Sequence, residues 1–124
     1  MRNGALLAWD GGRAGARALA DAMATVLNGA RLTVLHVGED DSEVRRPGRD
    51  VMQHLGRHGL HAELVVVPRA SRPVAEIVLE SAEASGAGLL IMGAYEHSRL
   101  GEALLGGVTR DVLRQATLPV LVAH

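Results

Sequence analysis

The stretch from Gly93 to Thr109 contains the residues whose types and spacing best suit binding chemistry. It is rich in glycine, and Gly106-Gly107 stand directly before a predicted helix. Glycines before a helix N-terminus let backbone N–H groups approach a phosphate, and the helix dipole favours the anion. The stretch therefore predicts an anion-binding loop. The alternative is a plain strand-to-helix connection in which Gly107 is a permissive N-cap.

Asp10 and Glu96 each follow a predicted strand and form a candidate carboxylate pair. Two carboxylates at the ends of central strands could act in acid–base chemistry or hold Mg²⁺. The alternative, which we favour, is that Asp10 caps the first helix and Glu96 is solvated. No catalytic base or arginine finger is identifiable, so the sequence favours a binding module over a catalyst.

Six histidines raise the question of a metal site. His54 and His58 are four residues apart, so one helix face could present both to a cation. They also lie near a predicted helix end, where solvated histidines are common, and we expect no metal there. His36 lies in a predicted strand and is expected to be a hydrogen-bonded core residue. Ser98, beside His97, lacks the G-x-S-x-G turn of a nucleophilic serine.

Several residue types are missing from the 124-residue chain, and their absence excludes whole chemistries. There is no Cys for a disulfide, a thiolate metal site or a thiol nucleophile, and no Lys for a Schiff base. Trp9 and Tyr95 are the only aromatic residues and the formal net charge is −1, so we expect no nucleic-acid partner. No signal peptide or membrane-spanning run is visible, which makes the cytoplasm the expected location, with no membrane partner.

Apolar runs alternate with helical patterns along the chain, which predicts a single domain over residues 1–124 in the order βαβαβαβαβ. Runs that are apolar on both faces indicate a parallel sheet covered by helices on both sides. The expected fold is a Rossmann-like, three-layer α/β/α sandwich with a five-stranded parallel sheet. The predicted strands lie at 4–9, 32–37, 62–67, 89–92 and 119–122.

Local signals predict the boundaries between these elements. Residues 38–49 are predicted to form a charged loop, because Pro47-Gly48 should break any helix there. Ser71 is predicted to cap the third helix and Gly86 to end it. Asn28-Gly29 are predicted to end the first helix.

Ligands of such sheets bind beyond the carboxyl ends of the strands, where the strand order reverses. Trp9 stands at the end of the first strand and Tyr95 just past the fourth, so both are expected near that point. Tyr95 could stack on a ligand there, whereas Trp9 is expected to pack beneath a helix.

The chain resembles the universal stress protein family over nearly its whole length. The resemblance rests on five segments: LLAWDG (6–11), VLHV (34–37), IMGAYEHS (91–98), LLGGVT (104–109) and ATLPVLV (116–122). It implies the strand order 3-2-1-4-5 and a homodimer formed through the last strand. It also implies a binding or signalling module in the stress response.

Members of that family that bind ATP have the pattern G-x2-G-x9-G-[S/T]. Gly93 and Gly106 match its first and third glycines. Glu96 stands where the second glycine is expected, and Gly107 where the final Ser or Thr is expected. The resemblance therefore implies an ATP site that is degenerate at two of four positions.

The resemblance also implies roles for residues outside this pattern: the adenine side for Asp10, a backbone contact for Val37, and the phosphate side for Thr109. The full set of candidate ligand-binding residues is Asp10, Val37, Met92, Gly93, Tyr95, Glu96, Gly106, Gly107, Val108 and Thr109.

The two departures can be weighed as energies. A carboxylate at Glu96 held about 4 Å from a phosphate charge is repelled by roughly 4 kcal/mol at an effective dielectric of about 20. A hydroxyl lost at Gly107 removes a hydrogen bond worth about 1–2 kcal/mol. Arg69, Arg99 or a bound Mg²⁺ could compensate. Without a cation the balance is against tight ATP binding, which leaves a nucleotide-free protein-interaction domain and a weak Mg²⁺-dependent ATP hydrolase as alternatives.

Overall fold

A computed structural model describes residues 4–25, 31–38, 42–94 and 107–123; of residues 42–48 it describes the backbone. Strands and helices alternate along the chain as predicted. The strands are β1 (Gly4–Ala8), β2 (Arg31–Val37), β3 (Ala62–Val67), β4 (Ala87–Gly93) and β5 (Val120–Ala123). The helices are α1 (Arg13–Thr25), α2 (Ser42–Arg57), α3 (Val74–Ala84) and α4 (Gly107–Gln115). In these ranges no helix combines the length and apolar character needed to cross a membrane.

The five strands form one parallel sheet in the order β3-β2-β1-β4-β5, which confirms the expected fold class and strand order. Ala8 near the centre pairs with Leu35 of β2 and with Met92 of β4. The first three strands are added outward from β1, and β4 then returns to the other side of β1. The carboxyl ends of β1 and β4 therefore flank the point at which such sheets bind ligands.

Two apolar layers hold the sheet between its helices. Side chains alternate between the two faces of a strand, so odd- and even-numbered residues of β1 enter different layers. One layer, with α1 and α2, includes Leu7, Leu19, Val34, Leu55 and Ile91. The other, with α3 and α4, includes Leu6, Leu35, Val78, Leu90, Met92 and Val112. Each buried Leu, Ile, Val or Met contributes roughly 1.5–3 kcal/mol, so the two layers fix the positions of the strand ends.

Helix α2 begins at Ser42, so the predicted charged loop over residues 38–49 is wrong for most of its length. Pro47-Gly48 lie within the helix instead of breaking it. A proline inside a helix removes a backbone hydrogen bond and costs about 3 kcal/mol. The second half of α2 offsets this cost, because Val51 and Leu55 are buried in the core. Packing of one helix face thus prevails over local propensity.

Helix α3 is capped by Pro73, so the prediction that Ser71 is the N-cap is wrong. No side-chain hydrogen bond caps this helix. Ala70 and Ser71 have φ of 49° and 66°, and the Arg72 N–H closes their turn by donating to the Arg69 carbonyl at 2.9 Å. The turn places Ser71 two residues before the cap, too early to reach the first N–H groups of α3. Two left-handed residues with side chains are uncommon, and no sequence signal indicates them.

Gly86 ends α3 as predicted. It follows the C-cap Ser85, has φ of 70°, and donates its N–H to the Glu83 carbonyl at 3.1 Å. A left-handed glycine just past a helix satisfies carbonyls that the helix leaves open. The predicted end of the first helix at Asn28-Gly29 lies outside the described residues.

Candidate functional site

The candidate site lies at the carboxyl edge of the sheet, by which we mean the ends of β2, β1 and β4 and the residues directly after them. Val37 ends β2, Trp9-Asp10 follow β1, and Gly93 ends β4. Because these strands are neighbours, residues far apart in sequence meet at one edge. Helices that follow parallel strands begin at this edge, so the positive ends of the α1 and α4 dipoles lie here too. The arrangement favours an anionic ligand.

Asp10 closes the turn that leads from β1 into α1. Its Oδ1 accepts a hydrogen bond from the Gly12 N–H at 2.7 Å, and Gly11 between them has φ of 82°. The Gly12 carbonyl then accepts the N–H of Ala16 at 3.2 Å, which starts the helix. Asp10 therefore stabilises the start of α1, as expected. It is exposed, and no other residue in the described ranges bonds its Oδ2, so that oxygen remains available to a ligand.

Gly93 allows the end of β4 to touch the first turn of α1. A Cβ at this position would stand 2.3 Å from the Gly15 nitrogen and 2.4 Å from the Ala14 carbonyl carbon. No side chain fits at such distances, and the obstructing atoms are backbone that cannot move aside. The sequence assigned this glycine to phosphate approach, but close packing of strand and helix already requires it.

Trp9 packs beneath α1, as expected, and its backbone is held by β2. A Cβ on Gly15 would lie 3.5 Å from Cε3 and Cζ3 of the indole. The Trp9 N–H donates to the Leu35 carbonyl at 2.9 Å. The Trp9 carbonyl lies 3.2 Å from Nδ1 of His36. Trp9, the residue directly before Asp10, is thus anchored in the core.

His36 lies in the core, as predicted, and one of its two ring nitrogens is hydrogen-bonded. The residue is 9% exposed, and its Nε2 has no hydrogen-bond partner among the described residues. Sequence reasoning missed that its partner is the Trp9 carbonyl at the candidate site. The register of β1 and β2, which sets Ala8 opposite Leu35, places Trp9 opposite His36, and no local sequence signal fixes that register.

Val37 and Met92 differ in which of their atoms a ligand could contact. Val37 is half-buried at the end of β2, and the next residue, Gly38, still donates its N–H to the Val67 carbonyl at 2.9 Å. The Met92 side chain is fully buried in the layer that contains α3 and α4. Only the backbone of Met92 can therefore serve a ligand at this edge.

Helix α4 begins at Gly107, so the described part of the glycine-rich stretch is its helical end. A Cβ on Gly107 would meet no atom within 4 Å, whereas Thr109 is fully buried and Val108 half-buried. Tyr95, Glu96 and Gly106 lie outside the described residues, and so do His97, Ser98 and Arg99. The proposed meeting of Asp10 with Glu96 therefore stays a prediction.

Arg69, a candidate phosphate partner, follows β3. Its Nε donates to the Arg72 carbonyl at 3.1 Å, and the residue is exposed. β2 lies between β3 and β1 in the sheet. Arg69, after β3, is therefore one strand further from Asp10 than Val37 is.

His54 in the last turn of α2 and His58 directly after the helix contact each other, and both are exposed. Their ring centroids lie 4.5 Å apart, and Nδ1 of His58 lies 3.0 Å from the His54 carbonyl oxygen. Across the described ranges no cluster of three or more His, Asp or Glu side chains has the geometry of a metal site.

Two of the cavities among the described residues differ in where they lie. The larger, of about 560 Å³, is at the amino ends of the strands, where its lining includes Gly4, Arg31 and His61. That is the opposite end of the sheet from the switch point, so it is not the ligand site expected of this fold. The smaller, of about 250 Å³, is a slot between α1 and α2 that includes Trp9 and Val51 in its lining. It places the single tryptophan of the chain beside solvent-accessible space.

Comparisons with known proteins agree with this architecture. The sequence model of the Universal stress protein family matches residues 1–124. Universal stress protein MJ0577 of Methanocaldococcus jannaschii is 40% identical over 47 residues, which are 38% of this chain and 29% of that protein.

Solved structures of similar fold cover almost the whole chain. A universal stress protein family member from Burkholderia pseudomallei has a TM-score of 0.71 and 26% identity over 98% of this chain and 95% of its own. A universal stress protein crystallised in complex with cAMP has a TM-score of 0.74 and 23% identity over 98% and 96% of the two chains. With a family match from end to end and the fold and strand order described above, the chain belongs to the universal stress protein family.

Proposed function

We propose that residues 1–124 act as one signalling domain of the stress response, which binds an adenine nucleotide at the carboxyl edge of its sheet. Whether the nucleotide is bound would determine the signal that the domain gives. The domain would bind the nucleotide and not catalyse a reaction on it. The proposal places the protein in the cytoplasm, where adenine nucleotides are abundant.

One observation carries the proposal: an exposed carboxylate, a strand-end backbone and a helix N-terminus meet on adjacent strands. Oδ1 of Asp10 accepts the Gly12 N–H, and Oδ2 faces no described partner. A carboxylate oxygen accepts hydrogen bonds from a ribose hydroxyl or an adenine amine. The first N–H groups of α4 suit a phosphate, and the space around Gly107 is open. A universal stress protein of the same fold has been crystallised with cAMP, which supports the choice of ligand class.

The affinity should be lower than an unbroken motif would give. Glu96 adds negative charge beside the expected phosphates, and Gly107 lacks the hydroxyl that Ser or Thr would donate. Mg²⁺ held with the phosphates would reduce the repulsion from Glu96, so ATP should bind more tightly with Mg²⁺ than without it.

Calorimetry with ATP and Mg²⁺, and separately with cAMP, tests the proposal. The double change Glu96→Gly with Gly107→Ser should tighten ATP binding by about tenfold or more, because it removes a charge repulsion and adds a hydrogen bond. A Cβ on Gly107 meets no atom within 4 Å, and Gly107 has no left-handed φ, so a serine fits there without strain.

Gly56→Ser is the matched control, because Gly56 is also helical with open space around it and lies in α2. It should leave the affinity unchanged. Absence of heat with both nucleotides at millimolar concentration would contradict nucleotide binding. Binding that the double change does not strengthen would show that the charge argument is wrong.

A second candidate function, protein interaction without nucleotide, is favoured by the exposed edge of the sheet at β5. All four residues of β5 are half-buried apolar residues, and Leu113 of the preceding helix is 47% exposed. An edge strand presents unpaired backbone N–H and C=O groups that can pair with another chain. We therefore include in the proposal a homodimer formed through β5.

A weak Mg²⁺-dependent ATP hydrolase is the third function that the sequence leaves open. Phosphate release from ATP by the purified protein tests it directly. Release above the rate in buffer, abolished by Asp10→Asn, would favour hydrolysis over simple binding.

A further inference from the structure

The C-terminal end of α2 fixes the backbone of His58. The Leu60 N–H donates to the Leu55 carbonyl at 3.0 Å. The Gly59 N–H donates to the Gly56 carbonyl at 3.0 Å, and Gly59 has φ of 73°. Together these bonds form a Schellman motif, in which a left-handed glycine closes the helix. Because Leu55 is fully buried and Leu60 packs against the same core layer, the motif anchors this end of α2 to the core.

The ring of His58 is oriented by a hydrogen bond to the helix. Its Nδ1 lies 3.0 Å from the His54 carbonyl oxygen. Because a carbonyl oxygen can only accept, Nδ1 carries the proton of the neutral ring and Nε2 keeps its lone pair. No described residue bonds Nε2 of His58 or a ring nitrogen of His54. Metal-binding histidines have this arrangement, with one ring nitrogen donating to a backbone carbonyl and the other open to the ion.

The spacing of the two rings suits a shared metal ion. The ring centroids of His54 and His58 lie 4.5 Å apart. With metal–nitrogen bonds of about 2.0–2.1 Å, imidazoles on adjacent corners of a square-planar ion have centroids roughly 4.5 Å apart, against roughly 5 Å on a tetrahedral ion. Square-planar nitrogen sites are typical of Cu²⁺, which also has the highest affinity among the divalent first-row metals. The observed spacing therefore fits Cu²⁺ best.

The charges around the two rings favour a cation. The pair lies at the C-terminal end of α2, which is the negative end of the helix dipole. Asp50, one turn before His54, is exposed and makes no ion pair with a described residue. Arg57 in the last turn is exposed too, so its charge can turn towards solvent. The described residues supply no third side chain with ligand geometry, so water would complete the coordination.

We propose that His54 and His58 form a binding site for a divalent transition-metal ion, with Cu²⁺ held most tightly. The sequence predicted no metal here, because the spacing of two histidines does not show how their rings are oriented. The anchored helix end and the hydrogen bond of His58 change that expectation. Since the second imidazole binds from a fixed position, the pair should hold an ion roughly a hundredfold more tightly than one histidine does. The site is independent of nucleotide binding.

The fluorescence of Trp9, the single tryptophan of the chain, reports whether the site is occupied. Trp9, Asp50 and His54 line the same slot of about 250 Å³ between α1 and α2. Cu²⁺ has an unpaired electron and quenches a nearby indole, whereas Zn²⁺ has a filled d shell and does not. Titration of the purified protein with Cu²⁺ should therefore quench Trp9 and saturate at one ion per chain. Excess Zn²⁺ should restore the fluorescence by competition.

Two substitutions test the two ligands separately. His58→Asn keeps a side-chain N–H near the His54 carbonyl but removes the metal-binding nitrogen. His54→Gln keeps a good helix former and removes the other ligand. Each change should weaken Cu²⁺ binding by about tenfold or more. His61→Asn is the matched control, because His61 is also exposed but lies outside the pair, and it should leave the affinity within about threefold of wild type.

Electron paramagnetic resonance of the Cu²⁺ complex separates a metal site from a simple helix cap, because it counts the nitrogen ligands. The wild type should show two imidazole nitrogens and each single variant one. Circular dichroism verifies folding, and if one variant unfolds the other tests the same pair.

Three outcomes would overturn the site. The first is a wild type that neither is quenched by Cu²⁺ nor shows two nitrogen ligands. The second is wild-type affinity in the double variant His54→Gln with His58→Asn. The third is a loss of affinity in His61→Asn as large as in His58→Asn, because the ion would then bind surface histidines without preference.

Discussion

At the scale of single residues, the tightest packing of the candidate site is at a glycine. The end of β4 meets the first turn of α1 at Gly93, where a Cβ would collide with the backbone of Ala14 and Gly15. Asp10, on the adjacent strand end, is held by the amide of Gly12. The first turn of α1 and the residue just before it therefore position both residues, and a change at either one should be transmitted to the other.

Gly93→Ala should destabilise the protein by about 2 kcal/mol or more, because a methyl group 2.3 Å from a backbone nitrogen forces β4 and α1 apart. The change in the free energy of unfolding is measured by urea denaturation. Gly107→Ala, which meets nothing within 4 Å, is the control and should shift stability by less than about 1 kcal/mol. Equal effects of the two changes would contradict the packing role of Gly93.

An ion-pair cluster between Arg72, just before α3, and two glutamates of α3 predicts a small pH dependence of stability. Nη2 of Arg72 lies 2.6 Å from Oε2 of Glu80 and 2.9 Å from Oε1 of Glu76. The hydrogen bond from Arg72 lowers the pKa of Glu80. A carboxyl whose folded pKa is lowered stabilises the fold above its unfolded pKa, and this stabilisation is lost as the pH falls below the ordinary value of 4.5 through the folded pKa.

Glu80→Gln should therefore flatten the acid side of the stability profile, with only a slight effect because the pair is solvent-exposed. Urea midpoints at neutral and acid pH measure it. Glu83→Gln on the same helix is the control, since Glu83 makes no ion pair with a described residue. A profile that Glu80→Gln leaves as steep as the wild type would show that this ion pair is not formed in solution.

At the scale of elements, one helix boundary is set by tertiary packing and another by local backbone conformation. Helix α2 continues through Pro47-Gly48 because its second half is anchored in the core. Helix α3 stops at Gly86 because a left-handed residue cannot continue a right-handed helix. The first boundary needs the sheet to explain it, whereas the second is local and was predicted from the glycine alone.

Gly86→Ala and Gly56→Ala should change stability in opposite directions. Neither new methyl group meets an atom within 4 Å, so packing is the same and only the backbone differs. At Gly86, with φ of 70°, alanine should cost about 1–2 kcal/mol. At Gly56, inside α2, alanine should add about 0.5–1 kcal/mol. Thermal or urea unfolding measures both, and a stabilised Gly86→Ala variant would contradict the left-handed C-cap.

At the scale of the whole molecule, the sheet has two unlike edges. β3 forms one edge and β5 the other, and β5 is a strand of only four residues, Val120–Ala123. The carboxyl edge lies between them, at the ends of β2, β1 and β4. A homodimer formed through β5 would join two sheets while leaving both candidate nucleotide sites open, since β5 contributes none of their predicted residues.

Val120→Asp should convert the proposed homodimer into monomers, because a carboxylate at a strand-to-strand interface would be buried without a partner. Val66→Asp is the matched control: it is a half-buried valine on the opposite edge strand and should leave the oligomeric state unchanged. Light scattering gives the mass, and circular dichroism verifies folding.

Hydrogen exchange at β5, which should slow as the protein concentration rises, tests the same interface without any substitution. A wild type that is monomeric across the concentration range would exclude the β5 dimer.

The prediction from sequence was most accurate where the signal is local or strictly periodic. Runs rich in β-branched and apolar residues, such as 32–37 and 62–67, predicted strands within a residue of their observed bounds, because such residues favour strands. It failed at Pro47, where helix propensity predicted a break but packing of α2 keeps the helix intact. It also failed at Ser71, where capping rules predicted the N-cap but an uncommon turn places the cap at Pro73. Of the candidate site, the placing of Val37, Asp10 and Gly93 at neighbouring strand ends was predicted, but the contact of His36 with Trp9 was not foreseen.

The sequence by itself determined the α/β class and the order of elements, because apolar periodicity and parallel strands leave few alternatives. Only the tertiary structure decided why Gly93 must be glycine, where α2 begins, and that His36 holds the peptide before Asp10. Each of these depends on atoms that are distant in sequence and within a few ångströms in space. Distances of that kind are set by the packing of helices on the sheet, which no local pattern in the chain contains.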